Sequence, residues 1–447
     1  MATFDHAVVI GGSMAGLLTA RVLSEQFAQV TVVERDEFTD TPEPRKGQPH
    51  IHHIHGLLAS GTQLLHQLFP GLLDELTAEG AFVGDMGESM RWYCYGGYRI
   101  PITYGMKGIT MSRPFLEWRV RRRVAGLPNV TLRGGRAAVG LEATADCARV
   151  TGVRLAGEDG GEERLQADLV VDASGRGSAS PRWLAAIGYQ PPPESQVRIN
   201  LGYATRILWR APDDPLGHRW IMVTPEAPRE QRTGLAFPIE RGRWIVTLGG
   251  WYGDHPPTDE LGFLAFARSL PAPDIADLLV QCAPLSGIRT YKFAANLRRH
   301  YERVNRFPEG YLVLGDAFCS FNPIYGQGMT SAAMQARTLA ELLAEQRASG
   351  LEGLARAFFQ RAAKVIDIPW QLAVGEDFRW PQAEGPRPAG VDMVNRYVEL
   401  IHRASHHDPV VCRAFLDVMN LLQPLASLFS PPILSRAIRY GQEARAA

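Results

Sequence analysis

The chain predicts an α/β fold: a Rossmann-like domain built on a parallel sheet, interrupted by an inserted mixed β-sheet domain and followed by a C-terminal helical region. Three stretches carry this expectation. Residues 6–10 form a short apolar run of buried-strand type, Gly11-Gly12-Ser13-Met14-Ala15-Gly16 follows it, and residues 17–27 keep apolar positions at helical spacing before a second strand at 30–33. About 300 residues later, Tyr311-Leu312-Val313-Leu314 again runs into a glycine, Gly315, ahead of an Ala-rich helix. Between them, after the Pro191-Pro192-Pro193 break, residues up to about 285 read as strands separated by turn residues.

The first stretch reads as a dinucleotide site. Gly11 permits a tight strand-to-helix turn, Gly16 lets the helix lie close to the strand, and the N–H groups opening the helix face a pyrophosphate with the positive end of the helix dipole. Ser13 stands where G-x-G-x-x-G has its middle glycine; a small hydroxyl still admits the phosphates and can donate to them. Glu34, eighteen residues beyond Gly16, ends the second strand where a carboxylate can accept from a ribose diol, which favours FAD or NAD over a 2′-phosphorylated cofactor.

Composition narrows the function classes. The chain has 447 residues and 45% apolar content, enough for two or three cores. Lysine plus arginine equals aspartate plus glutamate at 47 each, so no global field favours nucleic acid or an anionic membrane. Five cysteines, Cys94, Cys147, Cys282, Cys319 and Cys412, are scattered and never in C-x-x-C spacing, which fits a reducing cytoplasm and neither a disulfide framework nor a zinc site. The first apolar run is strand-length, so no signal peptide is expected, and no apolar stretch reaches about twenty residues, so no transmembrane segment is expected.

Beyond Glu34 a Pro-rich basic segment containing Arg45 and Lys46 leads to His50, His52, His53 and His55. Four histidines in six residues invite a metal reading, but no Cys, Asp or Glu stands nearby to complete a site. The competing reading is a loop crossing the bound dinucleotide, with Arg45 or Lys46 available to phosphate and the imidazoles donating to polar ring atoms. Residues 57–80 read as a helix and 88–100 as a hairpin turning at Gly96-Gly97. Ser112 opens a basic helix with Pro114 in its first turn, which places Arg113 at the helix start to reach an anion. Strands follow at 129–133, 137–143, 149–155 and 167–172, the last closing on a small-residue loop. In the inserted region the clearest hairpin spans 234–250 and turns at Glu240-Arg241-Gly242-Arg243.

The segment 315–329 resembles the G-D motif, GDAxHxxxPxxGxGxN, of the FAD-dependent aromatic-hydroxylase class of flavoprotein monooxygenases. Gly315, Asp316, Ala317, Pro323, Gly326 and Gly328 match, whereas Cys319 replaces His and Met329 replaces Asn. With Arg45-Lys46-Gly47, His53-Ile54-His55 and the loop 172–178, the pattern is most similar to bacterial polyether epoxidases such as the lasalocid epoxidase, from residue 5 to about 345.

The resemblance implies an FAD domain of aromatic-hydroxylase or glutathione-reductase type formed by residues 1–85, 101–185 and 286–345. It further implies a substrate-binding sheet domain of residues 86–100 and 186–285, and a helical region, 346–447, covering the active site. FAD is expected to bind noncovalently: Gly11, Ser13, Met14, Ala15 and Gly16 at the pyrophosphate, Glu34 and Arg35 at the ribose end, Arg45, Lys46 and Arg113 at the phosphates, and Asp316 at the ribityl hydroxyls. Beyond Gly326, the N–H groups of Gly328 and Met329 would face the flavin N1 and C2 carbonyl, which gain negative charge on reduction.

The implied activity inserts one oxygen atom from O2, through a flavin hydroperoxide, by epoxidation or hydroxylation, so no side-chain nucleophile or other catalytic residue is assigned. Phe237, Trp251 and Pro323 are the expected pocket residues, and the resemblance to the epoxidases, together with the apolar surplus of the insert and tail, implies a polyketide or terpenoid substrate. Two rivals share the fold: a reductase of polyprenyl chains, and a halogenase, disfavoured because W-x-W-x-I-P is absent. NADPH or NADH is the expected electron donor, directly or through a separate flavin reductase. The family's G-A-D-G is replaced by Asp172-Ala173-Ser174-Gly175, which puts a hydroxyl where the carboxylate belongs, so direct reduction is expected to be slow.

Overall fold

The structure is a computed structural model that describes residues 4–157, 160–217, 219–346 and 350–446. Five parallel strands lie in the order Tyr311–Val313, Leu169–Asp172, Phe4–Ile10, Phe27–Val33, Val130–Arg133. Their apolar runs do not alternate with polar residues, because both faces are covered: Ala7, Val8, Val9, Val170, Val171 and Leu312 have no exposed surface. Helix Met14–Leu23 packs against Gly328–Glu345 and Arg113–Ala125, so the two glycine-led helices and the basic helix meet over one end of the sheet. The last of these is capped by Ser112, whose hydroxyl accepts from the Phe115 N–H.

The larger sheet has eight strands, ordered Cys319–Ser320, Arg289–Arg299, Glu194–Trp209, Arg243–Gly250, Arg232–Ile239, Trp220–Val223, Met90–Cys94, Gly97–Tyr98. Its pairing is antiparallel except between Trp220–Val223 and Met90–Cys94. Strand Arg289–Arg299, which the expected division placed with the first domain, pairs along Glu194–Trp209 from Arg289 to Arg299, so by its hydrogen bonds it belongs to the larger sheet. Residues alternate between faces. One face, with Trp244, Val246, Leu248, Ala204 and Leu208, packs on helices Glu260–Arg268 and Asp274–Gln281, elements the strand-rich reading had passed over. The other face looks back at the first domain.

Local punctuation differs from expectation at two places. Residues 57–80 form two helices, Ala59–Leu68 and Leu72–Ala78, because Pro70 and a left-handed Gly71 (φ 82°) interrupt the first. The hairpin of Met90–Cys94 turns one residue early, at Tyr95-Gly96, both with positive φ.

The C-terminal region is helical: Leu354–Asp377, Val391–Ala404, Pro409–Met419 and Pro431–Ala446. Just past the third of these, Asn420 reaches back to helix Ala59–Leu68, which has no side-chain cap of its own. Asn420 Oδ1 accepts from the Ala59 N–H at 2.9 Å and its carbonyl accepts from Ser60 Oγ at 2.8 Å. Among the described residues no helix is long and apolar enough to cross a membrane.

Candidate functional site

A cavity of about 930 Å³ runs between the first domain and the inner face of the larger sheet, within the size range of cofactor and ligand sites. One end is the glycine turn. Gly11 has φ 106°, and a Cβ there would lie 2.6 Å from the Ala173 carbonyl oxygen; a Cβ on Gly16 would lie 1.7 Å from the Gly11 carbonyl oxygen. Strand, turn and helix are therefore pressed together as closely as glycine allows. Gly11, Ser13, Met14 and Ala15 line the cavity, whereas Gly16 stands behind them.

The side chains around this turn are tied to a residue that the motif reading did not name. Glu117, almost fully buried on the basic helix, accepts from Ser13 Oγ (2.7 Å), Arg45 Nη2 (2.6 Å) and Gln48 Nε2 (3.1 Å), and Arg113 Nη2 lies 3.4 Å away. Arg113 Nη2 also donates to Ser13 Oγ at 3.0 Å. Because Ser13 is engaged in this way it makes no side-chain cap, and the first N–H groups of helix Met14–Leu23 face the cavity end uncapped. Glu34 lines the cavity but accepts from the Gly12 N–H at 2.7 Å and pairs with Arg45 Nη1 at 3.1 Å.

Two of the expected phosphate ligands are not on the cavity wall. Arg45 is buried behind it, its charge neutralised by Glu34 and Glu117, and Lys46 is exposed. A buried guanidinium needs carboxylate partners, and these pull Arg45 into the turn's support. Arg113 and Arg35 do line the cavity.

The second glycine segment forms the middle of the cavity. Asp316 lies on the wall and accepts no hydrogen bond from the described residues; burial raises its pKa, against the pull of Arg113 and Arg176. Helix Gly328–Glu345 opens at Gln327 without a side-chain cap, and Gly328 and Met329 line the cavity. Gly326 is left-handed (φ 66°), and a Cβ on Gly56 would stand in ordinary contact with the Gly326 Cα, at 3.7 Å. The intervening loop, with Pro323 on the wall, is held from below by Asp377. This fully buried carboxylate accepts from Asn322 Nδ2 (2.9 Å), Tyr325 OH (3.0 Å) and Asn296 Nδ2 (2.6 Å).

Histidines 50, 53 and 55 line the cavity side by side. Burial lowers all three pKa values, those of His50 and His53 to about 4, so the rings are neutral at neutral pH. They are separately engaged: His53 Nδ1 meets Thr205 Oγ1 at 2.7 Å, and His55 Nδ1 donates to the His53 carbonyl at 2.9 Å. Among the described residues no three His, Cys, Asp or Glu side chains converge as a metal site.

The far end of the cavity is apolar, with Met86, Met90, Trp220, Met222, Leu235 and Phe237. Trp251 is not there. It stacks on Trp380 at 4.8 Å in a separate core cluster, since residue 251 follows the last residue of strand Arg243–Gly250 and turns away with the chain. From the C-terminal region only Met419 reaches the wall among the described residues.

No family model matches the chain. Protein Rv3254 of Mycobacterium tuberculosis (strain ATCC 25618 / H37Rv) is 36% identical over 451 residues, which cover 98% of this chain and 94% of the relative. The chain belongs to the family of Protein Rv3254. Its fold is shared more widely. A flavoprotein/dehydrogenase from Cytophaga hutchinsonii superposes with a TM-score of 0.69 at 14% identity, covering 99% of both chains. The flavin-dependent brominase Bmp2 gives 0.68 at 14% identity, with 99% of this chain and 100% of the other covered. PqsL from Pseudomonas aeruginosa, described as a probable FAD-dependent monooxygenase, gives 0.60 at 20% identity, with 84% and 97% covered.

Glu117 and Asp377 are the site residues that motif reading missed. Glu117 did leave a signal: it is the one acid in a helix of arginines, one helical turn after Arg113 and therefore on the same face. Asp377 left none, because its partners Asn296, Asn322 and Tyr325 are distant in sequence.

Proposed function

We propose that the chain is an FAD-dependent monooxygenase that inserts one oxygen atom, by epoxidation or hydroxylation, into a hydrophobic substrate of polyketide or terpenoid type. The observation that carries this reading is one continuous cavity whose polar end is built for a phosphate- and hydroxyl-bearing ligand and whose other end is built for an apolar one.

The donor set fits FAD. Although buried, Arg113 Nε has no hydrogen-bond partner among the described residues, Asp316 is a bare carboxylate, and two helix N-termini open uncapped on the same space. Gly11, Ser13, Met14 and Ala15 with Arg113 would hold the phosphates, Glu34 and Arg35 the ribose end, and Asp316 the ribityl hydroxyls. Arg45 and Gly16 would act from behind by fixing the turn. When bound and reduced, FAD supplies the activation of O2. The N–H groups of Gly328 and Met329 would stabilise negative charge at the start of their helix. Neutral imidazoles and the methionine-lined end exclude water from the reacting region, and no side chain is required as a nucleophile.

Electrons would come from NADPH or NADH. Asp172 is buried and accepts from the Ser174 N–H (2.8 Å), Ser178 Oγ (2.6 Å) and Ser180 Oγ, so its carboxylate is occupied within the loop, and the loop brings Ser174 and Arg176, but no carboxylate, to the cavity wall. This favours slow direct reduction and a separate flavin reductase. The purified protein is expected to be yellow. Incubation with a reductase, O2 and candidate polyketides or terpenoids is expected to give a product heavier by one oxygen atom. A product heavier by two hydrogens, or one carrying a halogen, would replace this reading with a polyprenyl-type reductase or a halogenase, and a colourless protein that ignores added FAD would end it.

A further inference from the structure

The inner face of the larger sheet is graded from polar to apolar. Cross-strand register sets Thr205, Thr247, Leu235 and Met222 in one row across four strands, with the paired Trp220 and Met90 beyond. The polar end of that row lies against His53, whose ring also packs near those of Tyr203 and Tyr291 (5.9 and 5.8 Å between centroids). A ligand lying along the row would meet hydroxyls and an imidazole at one end and only carbon and sulfur at the other.

At the polar end the tautomer of His53 is coupled to the hydroxyls of its neighbours. Thr247 Oγ1 accepts from the Ile54 N–H (3.3 Å) and shares a hydrogen bond with Thr205 Oγ1 (2.6 Å), which in turn meets His53 Nδ1 (2.7 Å). Two hydroxyl protons must serve these contacts. If Thr247 donates to Thr205 and Thr205 donates to Nδ1, both are used. The reverse order leaves the Thr247 hydroxyl proton without an acceptor among the described residues. The first order, which satisfies both hydroxyls within the network, places the ring proton on Nε2; the reverse makes the cavity-lining Thr247 hydroxyl the open donor instead. His53 is only 5% exposed, and its Nε2 has no partner among the described residues. An unpaired buried donor is disfavoured, which marks it as reserved for a ligand atom.

We propose that His53, oriented by Thr205 and Thr247, is a specificity-determining residue whose Nε2–H donates to a carbonyl oxygen at one end of an otherwise apolar substrate, the body of which lies across Leu235 and Met222. This rests on the cavity being the substrate site of a flavin enzyme, and it narrows that substrate to an apolar ketone or a related carbonyl compound.

The test is calorimetric titration of the FAD-loaded protein with β-acetonaphthone and β-ethylnaphthalene, which match in shape and differ in the carbonyl. The wild type is expected to bind the ketone about tenfold more tightly, the effect of one buried hydrogen bond. His53→Leu should bind both alike, and Thr247→Val, which frees the ring to take the other tautomer, should fall between. FAD content, read from the visible spectrum, should stay at the wild-type level in both variants. Equal affinities in the wild type, a ketone preference that survives His53→Leu, or no binding of either compound to the wild type would overturn the proposal. Loss of FAD from His53→Leu would overturn it too, by assigning the donor to the cofactor. Binding is read without turnover, so a failure to detect any oxygenated product would count against the monooxygenase reading and leave this measurement intact.

Discussion

At Glu117 a single buried carboxylate faces Arg45, Arg113, Ser13 and Gln48. Burial alone would push its pKa up, but Arg113 and then Arg45 outweigh that and hold it below the usual carboxylate value of 4.5. A depressed carboxylate contributes stability above its unfolded pKa and loses it as pH falls below that value. Glu117→Gln is therefore expected to lower stability at pH 7 by roughly 3 kcal/mol, the cost of leaving buried arginines short of charge. The gap should narrow as pH falls below 4.5, and FAD should be lost more readily at pH 7; denaturant titrations at pH 7 and across the acid range, with the visible spectrum, check both. Asp377 has the opposite sign. Burial raises its pKa to about 7 against the three donors Asn296, Asn322 and Tyr325, so its stabilising contribution is full below the unfolded value near 3.8 and is lost as pH rises to about 7. In Asp377→Asn the fall in stability between pH 4 and pH 7 should flatten; an unchanged slope would assign it to other groups.

Among the elements, the strand-turn-helix at residues 4–23 was readable because its two periods and its glycines are local properties of the chain. The close approach behind it can be tested directly. In Gly16→Ala the added methyl would fall 1.7 Å from the Gly11 carbonyl oxygen, so helix and strand must separate, at a cost of roughly 1–3 kcal/mol and with loss of bound flavin. Full yellow colour in that variant would show that the turn does not hold the cofactor. Elements whose place depends on distant partners were not readable in this way. Strand Arg289–Arg299 finds its partner at Glu194–Trp209, and nothing in residues 289–299 themselves says which sheet they join. Trp251 reads as a pocket residue, but sequence does not say what it packs against, and the answer is Trp380, away from the cavity. Arg45 reads as a phosphate ligand until Glu117, 72 residues away, is seen to hold it.

Over the whole molecule the cavity joins a parallel-sheet unit, an antiparallel sheet and one residue of the C-terminal region, Met419, so a ligand that fills it bridges all three. FAD added to stripped protein well above its dissociation constant is expected to raise the thermal midpoint by roughly 3–4 °C, measured by scanning calorimetry. A rise confined to one of two resolved transitions would mean that the sheet domain does not sense the cofactor. The bond from Asn420 to the start of helix Ala59–Leu68 adds a matter of timing. The helix and its cap are 361 residues apart. At roughly 5–20 residues per second of synthesis, about 20 to 70 s pass between the making of one and the arrival of the other. Before that interval ends the glycine turn, the basic helix and the strands of the larger sheet have all been made, while the stretch that carries Leu58 and Met419 into the wall cannot yet close. The nascent chain thus passes through a stage in which the glycine end of the cavity is made and the wall that Met419 completes is still missing.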